Sequence, residues 1–160
     1  MVVRTAFSID VVAEADADVV TIAGVVDENA DLSPLLRLGA RPIRVHLRGV
    51  RRINSFGVRS WMDAIRHVPI TAKLSFVHCP PPVVDQCNMV SGFLGHGALD
   101  SFYAPMTCAE CDEQLDQLFE TEVCRANGAK LPLTPCPRCG RPMEVDDLED
   151  QYLLFVRDSM

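Results

Sequence analysis

A mixed α/β fold with a small cysteine-bearing module toward the C-terminus is what this sequence of 160 residues predicts. Three observations carry the prediction. Through about the first hundred residues, segments with an apolar period of two alternate with segments of helical period. Four of the seven cysteines then fall in two Cys-x-x-Cys pairs, Cys108/Cys111 and Cys136/Cys139. The net charge of −7 also changes character at that point. Residues 1–107 carry equal numbers of acids and bases, whereas residues 108–160 hold twelve acids against five bases.

The elements follow in order. Val2–Ile9 and Val19–Val25 have the β-branched content of strands, and with Ala13–Asp18 as the turn region they can pair as an opening hairpin. Asp31–Gly39 reads as a short helix: Asp31 or Ser33 caps its start, Pro34 suits its first turn and Gly39 ends it. Ile43–Leu47 alternates cleanly as a strand. Ser55–His67 is the clearest helix, with Val58, Trp61, Met62 and Ile65 on one face and Pro69 beyond its end. This spacing makes Trp61 a core residue. Lys73–His78 is a strand, Pro80–Val90 a helix with proline at its start, Ser91–Gly97 an irregular glycine-rich loop, and Leu99–Ala104 a last strand.

Residues 1–105 thus read β-β-α-β-α-β-α-β, a sheet flanked by helices with right-handed crossovers. Residues 106–143 form the cysteine module. Within 144–160, the segment Asp146–Arg157 reads as a helix, with acids at its N-terminal end and Leu148, Tyr152 and Phe155 as the stripe that packs on the α/β domain.

Two tight thiol pairs about two dozen residues apart are the spacing of a tetrahedral structural zinc site. Each pair makes a knuckle, and Pro137 and Gly140 suit the turn of the second. The expected cofactor is Zn2+ held by Cys108, Cys111, Cys136 and Cys139 in a zinc ribbon. A closed four-thiolate shell leaves no position for substrate, so the role expected of the metal is structural. A disulfide framework would need an oxidising compartment, and an odd cysteine count fits a reducing one better. Of the other cysteines, Cys87 reads as buried packing. Cys79 and His78 are adjacent in a strand and point to opposite faces, which argues against a Cys–His nucleophile.

Charge and hydropathy narrow the function. An acidic module lacks the basic footprint of a DNA- or RNA-binding ribbon. No apolar run approaches the roughly 20 residues that span a bilayer, and the N-terminus lacks the pattern of a signal peptide, so a cytoplasmic protein is expected. Eight arginines lie between Arg37 and Arg66 with Asp63 as the one acid among them. Such a run reads as a solvated face or as a patch for an acidic partner or a phosphate around Ser55, including the protein's own acidic module, within the chain or in a homodimer.

The segment from Leu47 to Arg59 brings a strand through a turn into a helix, with Asn54 and Ser55 at the helix start. Either side chain can cap it, and free N–H groups at such a junction favour an anion. Here the chain resembles the STAS domain family of anti-sigma factor antagonists, whose helix begins Asp-Ser-Ser-Gly with the first serine as kinase target. Asn54-Ser55-Phe56-Gly57 stands in that place, and Thr21-Ile-Ala-Gly24 and Asp27-Glu-Asn-Ala resemble the family's upstream stretch. Asn54 replaces the acidic residue and Phe56 the second serine. The resemblance implies a STAS-like mixed sheet over about residues 1–105 and a non-enzymatic adaptor. In that reading Ser55, with Asn54 and Gly57, forms a docking and phosphorylation surface for a serine kinase or anti-sigma-like regulator. The alternative is a scaffold or assembly component that keeps the fold without the switch.

Overall fold

The computed structural model describes residues 6–160. Strand β1 (Ser8–Ala13) and strand β2 (Asp18–Val26) form an antiparallel hairpin closed by the Glu14 N–H donating to the Ala17 carbonyl, 2.8 Å. The expected first strand, Val2–Ile9, overlaps β1 only at its end, and its residues 2–5 lie outside the described residues. A 3-10 turn over Ser33–Arg37 takes the place of the expected first helix. Leu38 is already extended, which leaves only five residues, a length that 3-10 geometry serves.

Next come β3 (Ile43–Ile53), α1 (Ser55–Arg66), β4 (Leu74–Val77), α2 (Pro81–Met89) and β5 (Ala98–Leu99). These five strands form one mixed sheet in the order β1-β2-β3-β4-β5, antiparallel at the first pair and parallel elsewhere. Strand order advances in one direction from β2 to β5, so right-handed crossovers put the 3-10 turn, α1 and α2 on the same face. The core confirms that placement: Val20, Ile22, Val45 and Phe76 of the sheet are buried with Leu35, Trp61, Val83 and Val84. Trp61 stacks on Phe93 at 5.5 Å and donates its indole N–H to the Phe93 carbonyl at 2.7 Å, which pins the glycine-rich loop to α1. The alternate residues Val19, Arg44, His46, Ser75 and Val77 are half-buried on the opposite face, which no helix covers among the described residues.

A second, three-stranded antiparallel sheet follows, from β6 (Ser101–Thr107), β7 (Gln114–Glu120) and β8 (Glu144–Val145), with β6 central. The expected strand Leu99–Ala104 is therefore two strands in two sheets, divided at Asp100. That residue's N–H donates to Phe76 of the first sheet, and its carbonyl accepts from Thr121 beyond the second. A bridge between Cys79 and Phe102 holds β6 beside the end of β4. Helix α3 (Thr121–Ala126) follows β7.

The expected final helix is broken at Leu153 into α4 (Glu149–Tyr152) and α5 (Leu154–Asp158). Tyr152, Leu153 and Val156 are all buried around the break. Asn88 of α2 repairs it. Its amide donates to the Tyr152 carbonyl and its carbonyl accepts the Phe155 N–H, both at 2.9 Å. Among the described residues, no helix is long and apolar enough to cross a membrane.

Candidate functional site

The four paired cysteines converge. Cys108 and Cys111 occupy the loop between β6 and β7, and Cys136 and Cys139 lie in a tight turn closed by a bridge between Pro135 and Pro142. The sulfurs of Cys108 and Cys139 are 3.4 Å apart, those of Cys111 and Cys136 are 3.6 Å apart, and all four fall within 4.8 Å of one another. Four thiolates around one ion at a metal–sulfur distance of about 2.3 Å would stand about 3.8 Å apart. Bonded sulfurs would stand about 2.05 Å apart, and all seven cysteines are free. The set can therefore hold a metal ion.

The backbone is built for it twice. The N–H of Cys108 donates to the Glu113 carbonyl and the Cys108 carbonyl accepts from Asp112; the N–H of Cys136 donates to Arg141 and its carbonyl accepts from Gly140. Each turn thus repeats the other, and the fifth residue of each takes a left-handed conformation, Asp112 at φ 59 and Gly140 at φ 76. Aspartate tolerates this region better than most side chains, which explains why the first turn needs no glycine. The Arg138 guanidinium lies 3.9 Å from the Glu113 carboxylate and links the two turns. The thiols of Cys111, Cys136 and Cys139 titrate together. Burial pushes Cys136 up, but the N–H groups of Cys139 and Arg138 and the neighbouring thiols bring it down to about 7. Cys111 and Cys139 are each lowered by a backbone N–H, but burial and the neighbouring thiols outweigh it, pushing Cys111 up to about 12 and raising Cys139.

The remaining cysteines lie outside this cluster. Burial raises the thiol of Cys79 well above its ordinary value, that of Cys87 to about 12 and that of Cys124 to about 11. These are apolar packing groups. The His78 ring turns away to His46 and Tyr103, with ring centroids 5.6 and 6.1 Å distant, so Cys79 and His78 make no nucleophilic pair.

At the start of α1 the three expected residues have distinct jobs. Asn54 is the cap: its side-chain oxygen accepts the Gly57 N–H at 2.8 Å, and its amide donates to Glu28 at 3.0 Å. The backbone hydrogen bond at Glu28, together with the Asn54 amide, holds that carboxyl below its usual range. Gly57 is where the helix meets β2, because a Cβ there would lie 1.9 Å from the Val26 carbonyl oxygen. Ser55 is the first helical residue and is exposed. Beside it Phe56 is 62 % exposed. An open groove near the same end of the sheet is lined by Phe7, Val25, Asp27, Asn29, Asp31 and Arg52.

The structure gathers His46 and His78 with Tyr103, and the Arg48 guanidinium lies over the Tyr103 ring at 5.4 Å. Burial, then His78 and Arg44, hold the His46 imidazole below its usual range. His78 itself has φ 54, uncommon for a residue with a side chain. The signal was present in Arg44-x-His46-x-Arg48, a strand alternation that puts three basic side chains on one face. Comparison of the chain with protein-family models and with curated proteins finds no match.

Proposed function

We propose that this chain is a non-catalytic docking protein. In this reading it is a STAS-like α/β domain that binds a regulatory protein partner through the start of α1, with a zinc ribbon that braces the second sheet. The observation that carries the reading is the exposed Ser55–Phe56 pair on a helix start fixed from beneath by Asn54 and Gly57. An exposed aromatic ring on rigid backbone is a good anchor for a partner, since little freedom is lost on binding. A phosphate on the Ser55 hydroxyl would add charge where a partner must come close and would be favoured by the free N–H groups of the first turn. The likeness of Asn54-Ser55-Phe56-Gly57 to the family's Asp-Ser-Ser-Gly supports the same surface. For the metal, four thiolates in a closed shell favour zinc as a structural ion.

A scaffold without a switch is the second reading. Asn54 is already engaged as the cap and with Glu28, and Phe56 stands where the family has its second serine. Capture from native extract with wild type, Ser55→Asp and Phe56→Ala separates the two. The docking switch predicts a kinase or sigma-regulatory protein held by wild type and lost by both variants. Identical partners on all three would leave Ser55 as a helical residue and nothing more.

A further inference from the structure

The helix-free side of the first sheet continues into the second. Tyr103 is the joint: its ring touches Arg48 of β3 and lies edge-on to His78, while its strand partner in the second sheet is Leu118 of β7. Antiparallel register places Asp116 opposite Pro105 and Glu120 opposite Ser101, so Asp116, Leu118 and Glu120 share the face of Tyr103. Asp116 and Glu120 are exposed. On the other side of Tyr103, Arg44, His46 and Arg48 line the same face of β3. Arg44 and Arg48 have no carboxylate partner among the described residues, in contrast to Arg41, which pairs with Asp18 at 2.6 Å. Asp10 is two strands away, at the β1 margin.

The face is thus divided: basic over β3, acidic over β7, with Tyr103, Leu118 and Val77 between. A two-fold axis through the middle of such a surface puts each basic half on the other copy's acidic half. That is the self-complementarity an isologous interface requires. A partner of uniform charge would meet one half favourably and be repelled by the other. We infer that the open sheet face, from Arg44 to Glu120, is a homodimer interface whose occupant is the same face of a second copy.

The pattern dictates a test by charge reversal. Arg44→Glu/Arg48→Glu makes the face wholly acidic in its charged positions, and Asp116→Lys/Glu120→Lys makes it basic. The full chain is measured by sedimentation equilibrium at low salt, where surface attraction is least screened. Wild type is expected at twice its 17.7 kDa mass, dissociating as salt rises. Each variant alone is expected to self-associate at least about tenfold more weakly, since like charges now face each other. An equimolar mixture of the two variants is expected to recover the double mass, which a variant that merely failed to fold could not do. A monomeric wild type at low salt, or variants that dimerise as well as wild type, overturns the interface. Because Ser55 and Phe56 take no part, the result is independent of the partner captured at α1.

Discussion

Gly57 shows how far a single residue determines the surface that carries a function. Helix α1 starts directly against the end of β2, and the Val26 carbonyl occupies the space a side chain would need. Asn54 closes the same corner with one oxygen and one amide, tying the helix start to the Glu28 loop. Ser55 and Phe56 therefore project from fixed backbone. Gly57→Ala forces a methyl group to within 1.9 Å of backbone oxygen, and neither partner is a flexible side-chain tip. The expected cost is about 3 kcal/mol, the upper end for overpacking, read as a lower midpoint in urea. A loss below about 0.5 kcal/mol, the size of an ordinary surface change, would mean that the helix start slides freely on the strand.

At the scale of elements, the cysteine turns, β7 and β8 form one small unit around β6. Burial and metal ligation rank Cys124 and Cys139 in opposite orders, which makes the metal testable. Cys124 is completely buried and Cys139 is exposed. If packing were all that mattered, Cys124→Ala would be the worse substitution. With a metal bound, Cys124→Ala costs about 1 kcal/mol as a small core truncation, while Cys139→Ala opens the shell and costs about 3 kcal/mol or more. Melting temperatures of the two variants decide it. A strong chelator should lower the wild-type melting temperature and leave Cys139→Ala nearly unmoved. The reverse order, with no chelator effect, would remove metal from the account. The clustering of the four cysteines was legible in the sequence because Cys-x-x-Cys is a local pattern with one strong geometric use. The β6–β7 hairpin around the first pair was not, because Gln114–Glu120 mixes polar and apolar residues on a half-covered sheet and its strand character comes from pairing with β6. The split of the strand at Asp100 was equally hidden, since it depends on contacts with Phe76 and Thr121, one on each side of it in the chain. The histidine cluster went unseen for the same reason: His46 and His78 meet only once β3 and β4 are paired.

The whole molecule is held together by a few joints between its two sheets. Phe102 is fully buried against Phe119, Tyr152 and Phe155, so the end of β6 belongs to a core shared with α4 and α5. Tyr152 donates its hydroxyl to the Tyr103 carbonyl, and burial, with Asp85 nearby, keeps that phenol protonated far above its usual range. Asn88 is the matching joint on the first sheet's side, since α2 packs on β3 and its Asn88 amide fills the gap between α4 and α5. Asn88→Ala removes two hydrogen bonds and leaves the Tyr152 carbonyl and the Phe155 N–H without their partner. The expected loss is about 2 kcal/mol, at roughly 1 for each bond. The form of the transition is the sharper readout. If the two sheets fold as one unit, calorimetry of wild type shows a single peak, and Asn88→Ala moves that peak down without dividing it. If the second sheet were an independent module fastened by its metal, the wild type would show two peaks and the substitution would shift one of them. The Cys79–Phe102 bridge and the Asp100 junction place backbone of one sheet inside the hydrogen-bonding of the other, and that interdependence is the physical reason for expecting a single transition.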